Sequence, residues 1–290
     1  MFHIALSQLT PHCNKAISAF LSNAGMDNGV IFNNICTCVD IILYLTVFLL
    51  PAFFISRYTE KTESNISCKF VFPKGFILLG ITAIGCISAS GNITNLIKLL
   101  FNKIGIGFIS YSPDIPHDFF GIVLLFISSA IVPAIVEEIL FRKVILEKLI
   151  PFGKAFAVIL TALLFSLMHT NTSQFLYAFM GGLFLSAVAV KYGSVIPAIL
   201  LHFSNNCLSL IYLIISEFAG GDIVSTAIML FDISLGVFGL VSLYFILKKY
   251  GSRFFKTLSD SIFTHKSFNV FLLGYIVYCL YLSARWIYII

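Results

Sequence analysis

Charged residues are scarce in this sequence. Of its 290 residues, 11% are charged and 59% are hydrophobic, and the mean hydropathy is +1.00. An average soluble domain has about 25% charged residues, so a soluble protein of this length could not cover its surface with so few. Disorder is excluded too, because disordered chains combine low hydrophobicity with high charge. The net charge of +5 is not gathered into one basic face, which argues against nucleic-acid binding. The composition predicts a polytopic membrane protein.

A disulfide framework is lacking as well. The seven cysteines are odd in number and lie mostly inside apolar runs, so we expect them to be small buried residues.

Long continuous apolar segments dominate the chain. Each bilayer crossing takes about 20 apolar residues in a helix. The runs do not alternate, which disfavours membrane strands. We therefore expect an all-α transmembrane helical bundle of about eight spans, forming a single membrane domain over residues 1–290. The predicted segments are 31–56, 75–97, 119–136 (continuing as helix to about 149), 155–173, 175–190, 194–216, 224–247 and 268–290. Residues 2–21 are expected to form a short amphipathic helix on the membrane surface.

Basic residues are divided unequally between the two sides of the predicted bundle. Fourteen of the 18 lysines and arginines fall in one set of alternate loops, from Arg57 to Lys266. Cytoplasmic loops carry an excess of lysine and arginine. We therefore predict that these loops are cytoplasmic, that both termini are outside, and that the protein lies in the cell membrane.

Two adjacent glutamates, Glu137 and Glu138, follow eighteen uncharged residues in the third apolar segment. A charge inside a bilayer costs on the order of 3 kcal/mol, so it is a functional hypothesis by default. Glu138 and Arg142 are four residues apart and can pair on one helix face. That pair leaves Glu137 available for chemistry. The alternative is a charged helix end that meets water.

The next apolar segment ends in a histidine, His169, four residues after Phe165. The turn between the two helices is centred near residues 151–153, where proline and glycine break the helix. Glu137 and His169 are about equally far from this turn along an antiparallel hairpin, roughly 23 Å. A carboxylate and an imidazole can therefore meet, although a lone histidine at a helix end is often only an interfacial residue.

A second histidine, His202, lies four residues before Asn206, so both project from one helix face. Their distance from the preceding turn brings them towards the depth of Glu137 and His169. Polar packing between helices would be the structural alternative.

In order and residue type, Glu137-Glu138-xxx-Arg142, Phe165-xxx-His169 and His202-xxx-Asn206 resemble three motifs of one protease family. This is the CPBP family (CAAX protease and bacteriocin-processing, also called Abi). Its members are intramembrane endopeptidases related to the Rce-type prenyl-protein protease. The resemblance covers a catalytic core of about residues 119–217. It implies hydrolysis of a peptide bond in a membrane-associated protein or peptide, either CAAX-type or leader and bacteriocin processing.

The resemblance also implies a role for each motif residue. Glu137 would take a proton from water, and His169 would hold that water and shuttle a proton. His202 and Asn206 would donate hydrogen bonds to the oxyanion, with Glu138, Arg142 and Phe165 as supporting residues.

A catalytic zinc is a possible cofactor, because Glu137, His169 and His202 match a three-ligand zinc set. The sequence lacks HExxH, however, and Asn206 is a poor zinc ligand. We therefore favour water activated by Glu137 without an obligatory metal.

The alternative function is non-enzymatic, as a bacteriocin immunity protein or a transporter. Asp232, inside the seventh segment, best fits transport, but we expect its side chain to reach the outer interface about 12 Å away. Transporters also tend to have two repeated halves, which this sequence lacks. The expected partners are the lipid bilayer and a membrane-associated substrate, with no nucleic acid.

Overall fold

The computed structural model describes residues 2–23, 29–58, 66–70, 75–108, 113–262 and 287–289. Over these residues the chain is a helical bundle, which confirms the predicted all-α fold. The helices are α1 (Phe2–Asn23), α2 (Gly29–Tyr58), α3 (Phe76–Asn102), α4 (Phe119–Phe152), α5 (Lys154–Met168), α6 (Thr172–Tyr192), α7 (Ile196–Ala219) and α8 (Asp222–Ile262). Two short strands, β1 (Ile106–Phe108) and β2 (Ile287–Ile289), pair antiparallel.

Six helices in the described part of the chain are long and apolar enough to cross a membrane: α2, α3, α4, α6, α7 and the first 27 residues of α8. Helix α5 is apolar but has 15 residues, so its length of about 22 Å falls short of a full crossing. Its far end, which carries His169, therefore lies within the depth of the longer helices.

Most of the eighth predicted segment, 268–290, lies outside the described residues. A helix through its last residues is wrong for Ile287–Ile289, because their backbone pairs with β1. Helix α1 confirms a helix over residues 2–21, and its Thr10 hydroxyl donates to Asp40 of α2. The position of α1 at a membrane surface stays a prediction.

Helix α4 carries the glutamate pair and departs from regular α geometry twice. Asp118 caps its start by accepting a hydrogen bond of 2.8 Å from the Gly121 N–H. π-Helical stretches occupy Ile127–Ile131, just before Pro133, and Ile139–Leu146, just after Glu138. Proline has no backbone N–H, and local π adjustments in membrane helices can satisfy the carbonyl group that is left without its donor. Glu137 and Glu138 thus sit on the short α-helical piece between them.

Helices α3 and α8 approach so closely that their backbones are in contact. Gly85 of α3 faces Gly239 of α8, and the Thr82 and Ser242 hydroxyls bond at 2.7 Å. Asp232 lies in the same interface, where it accepts hydrogen bonds of 2.6 Å from Ser88 and 2.8 Å from Asn92. Its carboxylate is thus bonded to α3 instead of reaching outward as expected, because two α3 donors lie directly opposite it. This contact is a packing role for Asp232.

Replacing Gly85 with valine is expected to force α3 and α8 apart. An added Cβ would lie 2.5 Å from the Leu235 carbonyl oxygen and 2.7 Å from the Gly239 Cα, which are backbone atoms that cannot swing aside. We expect Gly85→Val to lower the free energy of unfolding by about 1–3 kcal/mol, the range for overpacking. Thermal unfolding of the detergent-solubilised protein measures this. Gly91→Val is the matched control, since nothing lies within 4 Å of its added Cβ. Equal midpoints for the two variants would contradict the close crossing.

Candidate active site

One cavity brings together the four residues for which the sequence predicts catalytic roles. It has a volume of about 420 Å³ and is lined by Glu137 of α4, His169 at the end of α5, and His202 and Asn206 of α7. Glu137 and His169, which the helix lengths place at a similar depth, therefore line the same cavity.

Glu137 is almost completely buried, at 4% exposed, and its two carboxylate oxygens have different surroundings. Oε1 accepts a hydrogen bond from the Tyr44 hydroxyl of α2. Oε2 has no hydrogen-bond partner among the described residues and lies 3.9 Å from His202 Nε2. Two polar atoms at this separation can share one water molecule at hydrogen-bonding distance. A buried oxygen left unpaired is costly, so the geometry favours a bound water at Oε2.

Glu138 is fully buried and links α4 to α7. Its Oε1 accepts hydrogen bonds from Arg142 Nη1 at 2.8 Å and from His202 Nδ1 at 2.9 Å. The first is the pair predicted from the sequence; the second was missed. Arg142 is therefore wholly buried in this pair, and not exposed in a basic loop as the charge distribution predicts. A carboxylate paired with arginine can only accept, so His202 Nδ1 carries a proton and Nε2 faces Glu137.

The Phe165 ring contacts three of the charged or polar side chains of the site. The Arg142 guanidinium lies 4.3 Å from its centroid, a cation–π contact. The rings of His169 and His202 meet it edge-on, at 5.0 Å and 5.8 Å between centroids. Phe165 thus fixes three of the polar motif residues.

His169 is oriented by the backbone of its own helix. Its Nδ1 lies 2.9 Å from the Phe165 carbonyl oxygen. A carbonyl can only accept, so Nδ1 carries the proton and Nε2 is left as an acceptor. The next residue, Thr170, has a φ of 50°, a conformation that non-glycine residues rarely adopt. Asn171 then caps α6 through the Ser173 N–H at 2.9 Å. This tight turn ends α5 at the depth of the cavity, so that His169 lies in the cavity wall.

Tyr44 is the site residue that sequence reasoning missed. It lies in α2, outside all three motifs, and its ring stacks on Phe48 with centroids 4.6 Å apart. The available signal was weak: a buried tyrosine in an apolar segment needs a hydrogen-bond partner, but the sequence does not say which.

The zinc hypothesis concerns Glu137, His169 and His202. Among the residues that the structure describes, no group of three or more His, Cys, Asp or Glu side chains could hold a metal ion. The mechanism without an obligatory metal stays a prediction.

Comparison with protein families gives one match over the site. Residues 119–208 match the family model described as Type II CAAX prenyl endopeptidase Rce1-like. The matched segment is about a third of the chain, and it contains all seven motif residues named above. Comparison with curated proteins and with solved structures found no match. The resemblance predicted from the three motifs is confirmed for residues 119–208, and the chain is an integral membrane protein with an Rce1-like segment.

Proposed function

We propose that this protein is an intramembrane endopeptidase that hydrolyses a peptide bond of a membrane-associated protein or peptide, through a water activated by Glu137. The observation that carries the proposal is the unpaired Oε2 of the buried Glu137, which faces His202 Nε2 across 3.9 Å inside the cavity. The Rce1-like match supports the peptidase class. CAAX-type cleavage and leader or bacteriocin processing are both forms of this reaction.

The first step is attack by water on the scissile carbonyl. Tyr44 holds Glu137 Oε1, so Oε2 is the oxygen that accepts a proton from water. His169 Nε2 can accept the second water hydrogen and so orient the attacking oxygen. A bond then forms from the water oxygen to the carbonyl carbon, and the carbonyl electron pair moves to its oxygen. This gives a tetrahedral oxyanion.

Two side chains of α7 can stabilise this oxyanion. A protonated His202 donates from Nδ1 to Glu138 and from Nε2 to the oxyanion at the same time. The Asn206 amide can add a second donor from the next turn of the helix. Arg142 Nη1 donates to the same Glu138 oxygen at 2.8 Å, which keeps Glu138 ionised as an acceptor for His202.

Collapse of the intermediate completes the reaction. The carbonyl re-forms, the carbon–nitrogen bond breaks, and the proton held by Glu137 passes to the leaving amine, directly or through His169. The products are a carboxylic acid and an amine, and transfer of the remaining proton between them gives a carboxylate and an ammonium group, while Glu137 returns to its starting state.

The proposal is tested with purified protein in proteoliposomes, incubated in chelator with extracted membrane peptides and H₂¹⁸O. We expect new carboxyl termini that contain one ¹⁸O each, at a rate unchanged by the chelator. If no new termini form under any condition, the proposal that this protein is a peptidase is contradicted. Complete loss in chelator, restored by added zinc, would contradict the metal-free mechanism.

Tyr44→Phe is expected to lower kcat by about 10- to 100-fold, because a hydrogen bond to a charged group contributes about 1.5–3 kcal/mol. Tyr44 contacts Glu137, so KM should change less than kcat. Tyr58→Phe is the control, since Tyr58 is 78% exposed at the end of the same helix. Equal kcat values for Tyr44→Phe and the wild type would show that the contact does not assist Glu137.

A further inference from the structure

The cavity that contains Glu137 extends towards the start of α4. Besides the motif residues, its wall includes Ser129 of α4, which precedes Glu137, and Ser209 and Leu213 of α7, which follow His202. Helices α4 and α7 run in opposite directions, so these residues lie on the same side of Glu137. At about 1.5 Å per residue, Ser129 is about 12 Å from Glu137 towards the start of α4. The cavity therefore opens at the end of the bundle where α4 begins and α7 ends; we call this the open end.

The opposite end of the bundle is closed. One turn beyond Glu137 and Glu138, Arg142 is 0% exposed, and Leu146 on the following turn is also 0% exposed. Ile66, from the segment after α2, joins the same apolar core cluster as Leu146. Its neighbour Ser67 bonds to the α6–α7 turn, donating to the Gly193 carbonyl at 2.9 Å. These contacts seal the site at what we call the closed end.

Charge distinguishes the two ends. Lysines and arginines near the closed end are Arg57, Lys69, Lys143, Lys148, Lys154, Lys191 and Lys248. Acidic residues near the open end are Asp114, Asp118, Glu217 and Asp222. The described basic residues near that end are Lys15, Lys98 and Lys103. Basic residues accumulate on the cytoplasmic side of membrane proteins. The charge therefore assigns the closed end to the cytoplasm.

We propose that the active-site cavity opens on the extracytoplasmic side of the membrane. Its substrate is then an extracytoplasmic segment of a membrane-anchored protein or peptide, and not a tail in the cytoplasm. The substrate statement rests on the proposed function. The direction of opening rests on the cavity wall and the charges, and does not depend on activity.

Thiol labelling of single-cysteine variants in intact cells tests the direction. Native Cys68 is exposed at the closed end, and Ser209→Cys would place a thiol on an exposed residue of the cavity wall. Each is kept as the only cysteine in a chain whose other cysteines are replaced by alanine or serine. A membrane-impermeant maleimide should label Ser209→Cys in intact cells, but Cys68 only after permeabilisation. A permeant maleimide on solubilised protein gives the total. Labelling of Cys68 in intact cells, or failure to label Ser209→Cys there, would overturn the proposal.

The substrate class is tested by locating the cleaved bonds that depend on Glu137. We expect new termini that are lost in Glu137→Gln cells to lie in extracytoplasmic segments. Glu137-dependent termini in cytoplasmic tails would overturn the substrate assignment. If no terminus depends on Glu137, the proposed function fails, while the labelling result still decides which way the cavity opens.

Discussion

Replacing Glu137 with glutamine is expected to lower the rate of peptide cleavage by about 10²- to 10⁴-fold, the usual contribution of a general base. An amide has nearly the shape of a carboxylate but cannot take a proton from water. Its oxygen can still accept the Tyr44 hydrogen bond, so the cavity and the fold should persist. The rate is measured with purified protein and a cleaved peptide, alongside a thermal unfolding curve.

Glu147→Gln is the matched control for this prediction. Glu147 lies in the same helix, pairs with Lys143 at 2.9 Å and does not line the cavity. This variant should cleave at the wild-type rate. Cleavage by Glu137→Gln at that rate would contradict the mechanism, and would favour a binding role, such as immunity, that tolerates the loss of one charge.

Replacing Arg142 with leucine is expected to have the largest effect on stability. Arg142 and Glu138 are both 0% exposed, so the change would leave Glu138 charged and buried without its cation. Breaking a buried pair by removing one partner costs about 3–5 kcal/mol. The free energy of unfolding in detergent measures the loss. Glu147→Gln, which breaks a partly exposed pair, should lose less than about 1 kcal/mol.

A double variant separates charge from packing in the Arg142 prediction. Glu138→Gln with Arg142→Met removes both buried charges and keeps an oxygen that can accept from His202 Nδ1. It should recover at least half of the stability lost in Arg142→Leu, because no charge is left unpaired. Activity should stay low, since a neutral amide at position 138 stabilises a protonated His202 less than the native carboxylate does. Equal instability of the single and double variants would mean that the arginine acts through packing alone.

Local features of the sequence were enough to predict the helices and several of the residues that line the candidate site. Continuous apolar runs define the helices, and their lengths place Glu137 and His169 at one depth, where they share a cavity. The Glu138–Arg142 pair lies within one helix and follows from spacing of four residues. These predictions needed only helix geometry.

Features that depend on contacts between distant segments could not be predicted in this way. Tyr44 meets Glu137 across 93 residues of sequence, and Glu138 meets His202 across 64. The β1–β2 pairing likewise joins residues far apart in the chain. The end of α5 at Met168 could not be predicted for a different reason. The predicted segment runs to residue 173, but the helix stops five residues earlier because the chain turns at Thr170, whose φ is 50°.

Comparison of protein termini in membranes from cells with the wild-type chain and with Glu137→Gln tests the central claim most directly. The account predicts a set of new termini, in membrane-associated proteins or peptides, that is present with the wild type and the Glu147→Gln control and absent with Glu137→Gln. Identical sets of termini in all three, at equal levels of the protein, would contradict the claim that this protein is a protease.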